Sequence, residues 1–109
     1  MPFTEEQLRD IKAKHPGVDL RQFTNPDFDV DWVIRVPGDI EFAAWRMQQS
    51  AAGDDFHPVN REFVVRCVTA PDSAEVRTKL ATSAGLVEAF LKYIVRLLGT
   101  KAEFTVKKL

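Results

Sequence analysis

Three aspartates at alternate positions, Asp27, Asp29 and Asp31, form the most suggestive chemical grouping in the chain. Hard cations take clustered carboxylate oxygens, and alternate acids open the calcium loop of helix–loop–helix sites. That loop also needs glycine at its sixth position and a bidentate glutamate at its twelfth. Trp32 and Gly38 stand there, so the template fails. The three acids read instead as a solvated strand face, which also discourages edge-to-edge pairing. Cys67 falls on the apolar side of a helical pattern, where a thiol behaves as a small inert hydrophobe. His15 and His57 each sit beside a proline, with no cysteine or carboxylate at metal-ligand spacing. The sequence has no glycine-rich phosphate loop, nucleophile elbow or paired carboxylates within apolar sequence. The expectation is a protein that is not an enzyme, with no catalytic, cofactor-binding or metal-binding residue and no cofactor.

Binding is the remaining chemistry. Trp32, Phe42, Trp45, Phe63 and Phe90 suit a core, while Trp45 and Arg46 beside Gln48 and Gln49 could line a contact surface, since Trp and Arg dominate interface hot spots. Charge is segregated along the chain. Residues 27–41 carry five acids and one base, and residues 92–109 five bases and one acid. Opposite patches on one molecule permit head-to-tail self-association; solvated faces explain the same segregation.

The elements that must position these residues belong to one small domain. The chain has 109 residues, 45% of them hydrophobic and 28% charged. A mass of 12.4 kDa corresponds to roughly 6,100 Å² of folded surface against roughly 18,000 Å² unfolded, enough for one core and too little for two. The formal charge of −1 argues against nucleic acid as a partner. A single cysteine forms no internal disulfide, the opening residues lack a signal-peptide pattern, and no apolar run approaches the roughly 18 residues of a membrane span. A cytoplasmic protein without membrane contact is expected.

Along the chain, Thr4 and Gln7 form a capping-box pattern for a short helix that His15-Pro16-Gly17 ends, so residues 1–17 are assigned to it. Residues 18–37 read as a β-hairpin. Its first strand alternates Val18, Leu20 and Gln22 with Asp19, Arg21 and Phe23, and Asn25-Pro26-Asp27 is the turn. Its second places Phe28, Val30, Trp32, Ile34 and Val36 on one face. Residues 38–99 read as about four helices. The first buries Ile40, Ala43, Ala44, Met47 and Ala51 in a stripe that Phe42 and Trp45 widen. The second starts near Pro58 and carries Val59, Phe63, Val64, Cys67 and Val68. The third is capped by Asp72 with Glu75 and turns Val76 and Leu80 inward. The fourth carries Leu86, Val87, Phe90, Leu91, Ile94, Leu97 and Leu98, with Gly99 as its stop. Residues 100–109 form a basic tail. The fold class is α+β.

The order of these features resembles the small phage and prophage tail assembly chaperone-like proteins. The resemblance lies in Leu8-Arg9-Asp10-Ile11-Lys12-Ala13-Lys14-His15, in Val33-Ile34-Arg35-Val36-Pro37, in Glu41-Phe42 with Trp45-Arg46, in Val65-Arg66-Cys67-Val68 closed by Pro71, and in Gly85-Leu86 opening a helix that runs to Leu98-Gly99. It covers about residues 5 to 100. Ala84 stands where those proteins usually have proline, and the 25–31 turn is more acidic than theirs. The resemblance implies a non-catalytic role in the host cytoplasm. It would bind the tape-measure protein of the same phage, keep its long helices from aggregating and hand it to tail-tube subunits, with self-association along the client. Arg35, Phe42, Trp45, Arg46 and Gln49 are the candidate contact patch. Two other readings stay open: a structural connector that remains in the virion, and a small cytosolic regulator using residues 101–108 on nucleic acid.

Overall fold

The computed structural model describes the backbone of residues 3–108 and the side chains of residues 3–98. Helix α1 (Glu5–Lys14) opens with the expected capping box: Thr4 Oγ1 accepts from the Gln7 amide at 3.1 Å, and Gln7 Oε1 accepts from the Thr4 amide at 2.9 Å. No residue of α1 is buried. Strand β1 (Leu20–Asn25) pairs antiparallel with β2 (Val30–Arg35), setting Phe23 opposite Trp32. Phe23 therefore belongs to the core face, not to the polar face that its alternation with Asp19 and Arg21 suggested, because its register is fixed by the strand partner.

The hairpin turn is longer than the sequence indicated. Asn25 Oδ1 accepts from the Asp27 amide at 3.0 Å, and backbone bonds close the turn at Phe28 and Asp29. Asp29 takes a positive φ of 53°, a conformation that aspartate tolerates better than most residues. Phe28 thus leaves the strand, and Asp27 and Asp29 are exposed turn residues. Asp31 alone of the three lies in β2, where its carboxylate accepts from the Phe3 amide at 3.0 Å and from Gln22 Nε2 at 2.7 Å.

Two helical segments follow, α2 (Asp39–Ala52) and, after a single 3₁₀ turn, α3 (Phe56–Cys67). A third strand that the sequence reading did not anticipate, β3 (Val68–Ala70), pairs antiparallel with β2. Val68, read as the end of a helix, begins this strand. Its short run of Val and Thr before Pro71 favours extended backbone. The sheet is three-stranded with β2 in the middle.

Helix α4 (Ser73–Thr82) starts on Asp72, whose Oδ1 accepts from the Glu75 amide at 2.9 Å, and buries Val76 and Leu80 as expected. Helix α5 (Leu86–Lys108) follows a turn in which Gly85 has φ +86°, a conformation that L side chains rarely adopt. The α5 backbone runs through Gly99, so the expected stop there and the expected tail over residues 100–109 are replaced by helix. One glycine costs a helix only about 1 kcal/mol relative to alanine, and Lys101, Ala102 and Glu103 beyond it are good helix formers. The expected side-chain roles of Gly99 and of the basic residues after it fall outside the described side chains.

The core lies between the sheet and the helices. Phe23, Trp32 and Phe90 form an aromatic cluster, with Phe23 and Phe90 edge to face at 5.2 Å. Phe63, Val64, Cys67, Leu86 and Ile94 complete it. Among the described residues no helix is long and apolar enough to cross a membrane.

Candidate protein-contact site

Helix α2 decides the site, and it is rotated relative to the sequence reading. Trp45 is 2% exposed, whereas Ile40 and Met47 are 89% and 73% exposed, and Ala43, Ala44 and Ala51 are exposed with them. The apolar stripe assigned to the core faces outward. Trp45 has Phe63 to stack on and Phe42 packs beside it, and these two broad rings turn inward in place of a stripe in which three of the five residues are alanines. Trp45 stacks flat on Phe63 of α3, with centroids 4.5 Å apart and planes 11° from parallel, and Phe42 packs against Trp45 at 5.5 Å.

The stack carries a polar support. Trp45 Nε1 donates to Asn60 Oδ1 at 3.0 Å, and Gln49 Nε2 donates to the same oxygen at 3.2 Å. An indole N–H can only donate, so Asn60 must present its oxygen to the tryptophan. Asn60 is 5% exposed and is the buried polar residue among the described ones. Arg46 lies outside this layer, its guanidinium 5.3 Å from the Phe42 ring and 4.9 Å from the Trp45 ring, a cation–π arrangement.

Arg35, at the end of β2, is bound bidentately by Glu41 in the first turn of α2, with Nη2 donating to Oε2 at 2.7 Å. This hydrogen bond holds the Glu41 carboxyl below its ordinary value of 4.5 and raises the Arg35 pKa further. The pair ties the sheet to α2 and leaves Arg35 engaged. Of the five candidate contact residues, Phe42, Trp45, Arg46 and Gln49 thus converge on one side of α2, with Trp45 as core, Phe42 and Gln49 half-buried and Arg46 exposed. Arg35 is instead paired with Glu41.

Between α2, α3 and α5 runs an open groove of about 480 Å³. Trp45, Leu91 and Val95 give it an apolar floor, Arg46, Lys92 and Arg96 give it cations, and Glu88 is its acid. Asn60 and Gln49 add amides. The sequence reading found the α2 half of this groove and missed the α3 and α5 half. Asn60 had a signal: it shares a helical face with Phe63, Val64 and Cys67, and an amide on an apolar face marks a buried hydrogen bond. Glu88, Lys92 and Arg96 recur every four residues beside Leu91 and Val95, a charged margin along an apolar strip.

Cys67 is fully buried, and burial pushes its thiol up to about 11, so it is not a nucleophile at neutral pH. Among the described residues no three His, Cys, Asp or Glu side chains lie together as a metal site. Fold and site define a small α+β protein with a cation-rimmed, apolar-floored groove between helices. No family model, curated protein or solved structure matches the chain, and the functional reading rests on its own residues.

Proposed function

We propose that this is a non-catalytic, cytoplasmic binding protein of a phage or prophage, a tail assembly chaperone-like factor that holds the tape-measure protein before tail-tube subunits take it over. The observation that carries the reading is the groove between α2, α3 and α5. Its apolar floor suits one face of a helix, and its cations suit acidic residues on that helix's margins. Trp45 and Asn60 fix the floor, so the groove is pre-formed and a client loses little by ordering it. One such groove is small beside a standard interface of about 800 Å² per partner. Each contact is then weak and reversible, as a client that must later be surrendered requires. The order of sequence features that resembles tail assembly chaperone-like proteins supports the same role.

Co-expression with a long, helical, Ala- and Leu-rich reading frame encoded just downstream tests the proposal. The long protein should become soluble and co-purify with several copies of this one, and Val95→Glu, which places a carboxylate in the groove, should lose it. A client that stays insoluble, with nothing co-purifying, overturns the chaperone reading. Recovery of this chain from purified virions would favour a structural connector instead.

A further inference from the structure

The outward face of α2 has no cover. Ile40, Ala43, Ala44, Met47 and Ala51 fall within one sector of about 100° around the helix axis, on the side opposite Trp45. Ile40 and Met47 are the most exposed large hydrophobic residues described, with Val18 the next. A helix apolar on both faces is one that is buried on both, and scattered exposed hydrophobics are common where a contiguous patch is not.

The margins of this face say what covers it. Asp39 and Arg46 lie along the same edge, seven residues apart, and neither forms an ion pair among the described residues. In a two-fold antiparallel pairing each edge stays on its own side while the helix direction reverses. Centred between Ala43 and Ala44, such a pairing sets Ile40 of one copy on Met47 of the other. Arg46 then comes within about two residues, roughly 3 Å along the axis, of the second copy's Asp39. A parallel pairing would bring the acidic first turns, Asp39 and Glu41, together and align the helix dipoles. Alanines at the crossing let the two axes approach to about 8 Å.

We propose that the protein self-associates as a two-fold dimer through the outward faces of α2, packed antiparallel about Ala43 and Ala44, with Arg46 of each copy paired to Asp39 of the other. The apolar part of this interface lies on the side of α2 away from the groove, and Arg46, which also lines the groove, is the residue the two surfaces share. α2 has 14 residues and is about 21 Å long. One face of it covers less than the roughly 800 Å² per partner of a standard interface, so the dimer is weak and concentration-dependent.

Sedimentation equilibrium from about 10 μM to about 1 mM spans the affinities expected of so small an interface. The mass should climb from 12.4 kDa towards twice that value. The double variant Ile40→Glu, Met47→Glu, altered only at exposed positions, should stay monomeric with an unchanged circular dichroism spectrum. Register is tested by oxidative cross-linking: Ala43→Cys, next to the two-fold axis, should form a disulfide-linked dimer, and Ala51→Cys, far from it, should not. Buried Cys67 does not compete. A mass fixed at one copy throughout overturns the proposal. So does a dimer that survives the double glutamate variant, or equal cross-linking at positions 43 and 51.

Discussion

At the scale of single residues, Asn60 holds the site in place. Its carbonyl oxygen satisfies a buried indole N–H and also meets Gln49. Asn60→Leu would keep the branched outline, add bulk and strand the Trp45 N–H, the stranded donor alone costing about 1–3 kcal/mol. Urea unfolding should register that loss, and Gln49→Ala should cost less because its half-exposed amide was partly solvated already. A wild-type midpoint for Asn60→Leu would mean that Trp45 does not need its partner. Titration bounds stability on both sides. Arg35 lowers the Glu41 pKa, so that contribution is in place above the ordinary 4.5 and lost as pH falls through the lower folded value. Burial raises the Cys67 pKa from 9.0 to about 11, so that contribution is in place below pH 9 and lost as pH rises towards 11. Unfolding measured across pH should show a plateau between these limits, and Arg35→Gln should steepen the acid side less than the wild type. A thiol reagent at pH 8 should label Cys67 only after denaturation.

At the scale of elements, two N-caps of the same chemistry should behave differently. Thr4 caps α1, which buries nothing, whereas Asp72 caps α4, which buries Val76 and Leu80. Removing a cap costs about 1 kcal/mol. Thr4→Ala should therefore speed amide exchange within α1 and leave global unfolding nearly unchanged. Asp72→Ala should lower the global midpoint, and equal effects in both measurements would contradict the difference in burial. Both caps were legible because a cap is a local signal carried by residues three apart. The hairpin was legible for the same reason, through its alternation and its Asn-Pro-Asp turn. What sequence periodicity could not supply was orientation and partnership. α2 offers two apolar faces, and only the presence of Phe63 at stacking distance from Trp45 decides which one turns inward. β3 is three residues long, too short for any period, and exists because β2 has a free edge beside it. Half the groove was hidden because α5 reaches α2 through tertiary packing, across some forty residues of chain.

At the scale of the whole molecule, α2 organises two exposed surfaces. Its inner face, through Trp45, Arg46 and Gln49, lines the groove; its outer face, through Ile40 and Met47, is the proposed seam between copies. Arg46 is shared by both, but Ile40 and Met47 belong to the seam alone and Val95 to the groove alone, so substitutions at these positions should separate the two bindings. Val95→Glu should abolish client capture and still dimerise at high concentration. Ile40→Glu with Met47→Glu should remain monomeric and still bind one client segment per groove, with reduced retention on a long client. That reduction follows from linkage: a second groove tethered by the dimer rebinds a neighbouring segment at a raised effective concentration. The measurement is retention of the long client by each variant, set against retention of a single short client helix. The seam variant should differ from the wild type on the long client alone. If it also lost the short helix, the two faces of α2 would be one site, and the groove would have to be redrawn to include both.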